Sequence, residues 1–106
     1  MIRSVLYLSA RPGGGAELEE FFREHRVLER ALAKPGCLGA ALHRPVGGGD
    51  RYVVTATWES PSAYDAWVDD PWRRGNAAEV EALLEGSVPE GGVFEVVERT
   101  GVETDQ

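Results

Sequence analysis

Within the stretch TWESPSAYDAW, residues 57–67, stand three large aromatic side chains, Trp58, Tyr64 and Trp67. An indole N–H can only donate a hydrogen bond, whereas a phenol with a pKa of about 10 can donate one and also relay a proton. Trp58 and Tyr64 together could therefore hold an oxyanion and protonate it. His43, with an ordinary pKa of about 6.5, suits proton abstraction at neutral pH. The competing reading is packing, because aromatics at a strand end and on the inner face of the next helix bury large areas against a sheet. His43, near the end of its strand, could equally be a rim residue.

Other chemistries find little support. RPGGGAELEE puts glycines before a helix start but lacks the Gly-Lys-Ser/Thr ending of a phosphate loop, and Glu17, Glu19 and Glu20 fill the position with negative charge. His25 and His43 have no Cys or acid at metal-ligand spacing, so no metal is expected, and His25 reads as a packing residue near the apolar stripe of the first helix. Cys37 is the only cysteine, which rules out an intrachain disulfide. It reads as a small buried hydrophobe in a reducing, cytoplasmic setting. A formal net charge of −7 repels nucleic acid and anionic lipid, so neither is an expected partner. No apolar run approaches the roughly 20 residues of a membrane span, and MIRSVLYLSARPG flows into strand-like sequence instead of a cleavage site.

The elements that must position the aromatics follow from periodicity. Residues 2–10 are rich in strand formers and end at Arg11-Pro12 and three glycines. Over 16–33, Leu18, Phe21, Phe22, Leu28 and Leu32 recur with a helical period that stops at Lys34-Pro35-Gly36. Residues 37–44 and 51–59 read as a strand hairpin closed by the Gly-rich turn 45–50. Ser60 then offers an N-cap hydroxyl with Pro61 at the first helical position. Asp69-Asp70-Pro71 breaks that helix, 76–85 resumes it, 86–92 is a loop, and 93–99 is a fourth strand. The order is βαββαβ, the ferredoxin-like α+β plan with a four-stranded antiparallel sheet. With 106 residues there is room for one domain, over 1–100, followed by a polar tail, 101–106.

Helices cover only one face of such a sheet. The other would carry Val5, Tyr7, Val53 and Thr55, too apolar to stay wet, which predicts a homodimer packed sheet to sheet.

KPGCLGAALHRP and RYVVTATWESPSAYDAW resemble segments of the antibiotic biosynthesis monooxygenase family, small dimeric α+β barrel proteins in which Pro-Gly follows helix one and Trp-Glu-Ser closes strand three. The resemblance runs from Ile2 to about Arg99. It implies a pocket between sheet and helices in which a hydrophobic (poly)phenolic or polyketide-type molecule reacts directly with oxygen to give a quinone, with no metal, flavin or heme cofactor. By position it implies Trp58, Tyr64 and His43 as catalytic groups; Leu6, Phe22, Val54 and Trp67 are expected to contact substrate, and Trp67 also to pack its helix onto the sheet. The polar Asn that such enzymes carry four residues before the strand Trp is Val54 here, and Arg73 and Arg74 lie several residues before their pocket Arg. A heme-degrading branch of the fold uses an Asn on strand one and an axial His ten residues after the helix Trp. Here those places hold Leu6 or Tyr7, and Ala77, which argues against heme degradation. Two alternatives share the pocket: a polyketide cyclase-like, non-oxidative enzyme, and a non-catalytic small-molecule-binding protein.

Overall fold

The computed structural model describes residues 1–86 and 89–101; most of the polar tail, 102–106, lies outside the described residues. The chain runs β1 (Ile2–Ser9), α1 (Gly15–Glu24), α2 (Val27–Leu32), β2 (Cys37–His43), β3 (Arg51–Trp58), α3 (Pro61–Val68), α4 (Pro71–Gly75), α5 (Ala77–Ala82) and β4 (Glu90–Glu95). The strands form one antiparallel sheet in the order β2-β3-β1-β4, the ferredoxin-like α+β arrangement expected. Within one chain the sheet is open and does not close into a barrel. No helix among the described residues is long and apolar enough to cross a membrane.

Where the sequence predicts only a break before residue 76, a short helix, α4, forms because Asp70 caps it, and three further details depart from the periodicity. The helix expected over 16–33 is two helices, because Arg26 adopts a left-handed conformation (φ 51°, ψ 47°) that cannot propagate a right-handed helix. Arg30 Nε donates to the His25 carbonyl at 2.8 Å, satisfying an acceptor freed at that joint. The fourth strand begins at Glu90 instead of Val93 and ends at Glu95, so Gly91 and Gly92 belong to it. A Cβ at Gly91 would lie 2.2 Å from the Val5 carbonyl oxygen, so only glycine lets β4 press this closely on β1.

The third departure is in β2. Cys37 opposes Trp58, but Gly39 opposes Thr57, leaving Leu38 as an extra residue. That irregularity reverses the facing of everything after it. Ala40 and Leu42, opposite Ala56 and Val54, pack toward the helices. Ala41 and His43 fall on the other face, where a His43 ring nitrogen and Thr55 Oγ1 form a 2.8 Å hydrogen bond.

The helices cover the face formed by Ile2, Leu6, Leu8, Tyr52, Val54, Ala56 and Trp58. One buried cluster gathers Leu8, Leu18, Phe21, Phe22, Tyr52 and Leu84, and a second Ile2, Ala31, Ala56, Trp58 and Trp67. Cys37 packs against the second, and burial pushes its thiol pKa up. A polar cross-link ties α1 to the hairpin: Arg44 donates to both carboxylate oxygens of Glu19, at 2.6 and 2.7 Å, and the Tyr52 hydroxyl donates to Oε2 at 2.5 Å. The Arg44 hydrogen bonds, helped by Tyr52, hold the Glu19 carboxyl down to about 2. The opposite sheet face carries Val5, Tyr7, Val53, Thr55 and Phe94, with Tyr7 38% and Phe94 58% exposed.

Candidate active site

Trp58 closes β3 between Ile2 and Cys37 and has no exposed surface. Its indole N–H donates to Ser4 Oγ at 3.1 Å. A buried indole N–H without a partner is costly, so this bond fixes the ring's orientation. The chain then turns into α3, where Ser60 Oγ accepts from the Ala63 amide at 3.3 Å and Pro61 occupies the first helical position, as the sequence predicts. One turn on, Tyr64 meets Trp58 edge to face, with ring centroids 5.8 Å apart. No hydrogen bond is formed by the Tyr64 hydroxyl among the described residues, and the Tyr64 side chain lines a small cavity together with Ser4, Ala40, Ala56, Trp58 and Trp67.

Asp69 ends α3 and Asp70 starts α4. Its Oδ1 accepts from the Trp72 and Arg73 amides at 2.9 and 3.4 Å, while Oδ2 accepts from Lys34 Nζ at 2.9 Å. The Lys34 hydrogen bond, with those two amides, holds the Asp70 carboxyl below its ordinary range. This cap turns Trp72 and Arg73 into a larger cavity of about 400 Å³ between the sheet and α1, α4 and α5. Trp72 is held by Arg30, whose guanidinium lies 4.3 Å from its ring centroid, and by His25, itself stacked on Phe21. Arg73 lies over the Trp67 ring at 5.8 Å and has no carboxylate partner among the described residues.

Leu6, Phe22, Val54 and Trp67, the residues expected to contact substrate, all line the larger cavity. Trp58 and Tyr64 line the smaller one, which shares Leu6, Val54 and Trp67 as a common wall. Trp67 is also buried in the second core cluster, so it packs the helix as well as facing the cavities. His43 borders neither cavity within one chain: the β2 irregularity turns it to the far face of the sheet. Trp72, Arg73 and Asn76 also line the larger cavity, and sequence reasoning assigned them no role. The available signal was Asp70-Pro71, a cap that starts a new helix and aims the residues just after it.

No group of three or more His, Cys, Asp or Glu side chains is placed to hold a metal among the described residues.

A family profile described as antibiotic biosynthesis monooxygenase matches residues 1–75. A curated relative, a mycobilin-producing heme oxygenase of Mycobacterium tuberculosis, is 46% identical over 61 residues, 56% of this chain and 54% of the relative. The chain thus spans about half the length of the curated relatives it matches. Among solved structures, the heme-degrader MhuD of the same organism, with two hemes in its active site, is 33% identical over 95% of this chain and 100% of that one, at a TM-score of 0.75. SnoaB, a cofactor-independent oxygenase from Streptomyces nogalater solved as an N63A mutant, superposes at a TM-score of 0.77 over 92% of this chain and 94% of its own, with 23% identity. That last likeness is one of fold. The profile covers well over half of the sequence and carries the assignment: this chain belongs to the antibiotic biosynthesis monooxygenase family.

Proposed function

We propose that this protein is a cofactor-independent monooxygenase that binds a flat, hydrophobic (poly)phenolic or polyketide-type molecule in the larger cavity and oxidises it to a quinone. The observation that carries the reading is Arg73. It is a half-buried guanidinium without a carboxylate partner among the described residues, set on the wall of an apolar cavity beside two tryptophans. Such a cation favours the ionised form of a phenol or enol and draws its charge into the cavity. An ionised phenol can pass an electron to oxygen by itself, so the protein need only desolvate it, hold the anion and return a proton. For an anthrone-like substrate, a CH2 group and O2 become a carbonyl and water. One oxygen atom enters the ring system, and the other leaves with both hydrogens. Tyr64 is the proton donor to the peroxide in this scheme, and Trp58 holds Tyr64 in place.

In the same reading two copies pack through the face bearing Val5, Tyr7, Val53, Thr55 and Phe94, which places His43 between the sheets instead of at the rim. A base role for His43 requires that second copy. The lone Cys37 supports a cytoplasmic setting.

The similarity to MhuD favours a second reading, heme as the substrate. The residues here fit it less well, since no His lines either cavity among the described residues and Leu6 and Ala77 face the larger one.

Oxygen uptake decides. With an anthrone as substrate, the first reading expects stoichiometric O2 consumption and quinone formation with no added metal or reductant. Binding without uptake supports the cyclase-like or non-catalytic alternative. Tight heme binding followed by breakdown with a reductant transfers the assignment to heme.

A further inference from the structure

The two cavities meet at one wall, made by Leu6 and its cross-strand partner Val54 together with Val27, Trp67 and Arg73. The outer cavity, about 400 Å³, has room for a fused-ring substrate. The inner one, about 50 Å³, does not. An apolar cavity of about 150 Å³ is what holds a single benzene. The inner walls are chiefly hydrocarbon, with Leu28, Ala31, Ala40 and Ala56 among them. Its polar side chains are three, Ser4, Tyr64 and, on the shared wall, Arg73, and the Trp58 N–H is already given to Ser4 Oγ. These groups suffice to hold one ordered water, which a small apolar molecule would have to displace, and the otherwise hydrocarbon wall favours the apolar occupant.

We infer that the inner cavity is the binding pocket for dioxygen, held behind the Leu6–Val54 wall next to the substrate cavity. The inference rests on the oxygenase reading above. It gives the alanines a purpose beyond packing. Ala40 and Ala56 face each other across β2 and β3 under Trp58, and larger side chains there would fill the space. It also puts Tyr64, whose hydroxyl has no hydrogen-bond partner among the described residues, on the wall of the pocket that supplies the oxygen it would protonate.

The test uses xenon as a probe of the void and steady-state kinetics with varied O2. Crystals of the wild type under xenon pressure should show density in the inner cavity, and Ala40→Val and Ala56→Val should each abolish it. Both variants should raise the KM for O2 several-fold while leaving the KM for the phenolic substrate unchanged. Using two variants guards against one failing to fold, and thermal melts identify that case. Xenon bound only elsewhere, or an unchanged KM for O2 in a folded variant whose cavity is filled, overturns the pocket and leaves the oxygenase reading standing. A wild type that consumes no O2 with any phenol overturns both, and xenon density would then mark only an apolar void.

Discussion

Trp58 gives its indole N–H to Ser4 across the β3–β1 pairing, 3.1 Å away, and in doing so leaves Tyr64 as the member of the pair with an unused polar tip. The two aromatics therefore divide the work: one is a fixed support, the other is free to exchange a proton. If that division holds, Ser4→Ala leaves a buried donor without a partner and should cost about 1–3 kcal/mol in urea denaturation. An unchanged midpoint would mean that the indole N–H finds another acceptor, and would return it to the pool of groups available to substrate.

Tyr64→Phe removes a single hydroxyl that no protein group uses among the described residues, so stability should hardly move. Turnover of an anthrone should fall by roughly 10- to 1,000-fold, the span of a lost proton donor. Full activity per folded molecule would remove Tyr64 from the mechanism.

Trp67→Ala should behave in the opposite sense. The side chain is buried between α3 and the sheet, and its loss should cost about 3–5 kcal/mol, read from the denaturation midpoint. A small stability loss with a large rise in substrate KM would instead make Trp67 chiefly a binding residue.

Acid should weaken the α1–hairpin link in a defined window. Arg44 lowers the Glu19 carboxyl from 4.5 to about 2 in the folded chain, so the stabilisation is fully present above about pH 4.5 and is lost as pH falls toward 2. In Glu19→Gln the fall in stability over that window should be shallower than in the wild type. Parallel profiles would show that the carboxylate carries no linkage.

In sedimentation the protein should run near twice its 11.5 kDa chain mass, since the exposed Tyr7 and Phe94 face otherwise meets water. Phe94→Glu on that face should shift the mass toward the monomer. A wild-type monomer at micromolar concentration would sink the sheet-to-sheet arrangement and with it any role for His43 between the sheets.

The sequence was most legible where local chemistry is self-contained. Ser60-Pro61 announces a helix start because a cap needs only its own next three residues, and it stands where expected, whereas Asp70-Pro71, read only as a break, also caps and starts α4. The facing of β1 and β3 followed from simple alternation, which put Leu6 and Val54 toward the cavity correctly. His43 did not follow, because one extra residue at Leu38 inverts the alternation, and nothing in CLGAALH marks where that residue falls. Gly91 and Gly92 look like loop, and their place in β4 is set by the nearness of the β1 backbone, a tertiary fact. Arg26 carries no glycine to announce its left-handed turn. Arg73 was invisible as a cavity residue for a related reason: its direction depends on how α4 sits on α3, which only the Asp70 cap determines.

Asp70 thus pins the outer cavity wall to the Lys34 turn through one carboxylate, while Trp72 rests on the core cluster of Ile2, Ala56 and Trp58. α4 is in that sense a tile laid on the core, clipped at its leading edge and joined to no strand. Changes at Arg73 or Asn76 should therefore reshape the cavity wall while leaving the β-strand register in place, so long as the aspartate that clips the tile is kept.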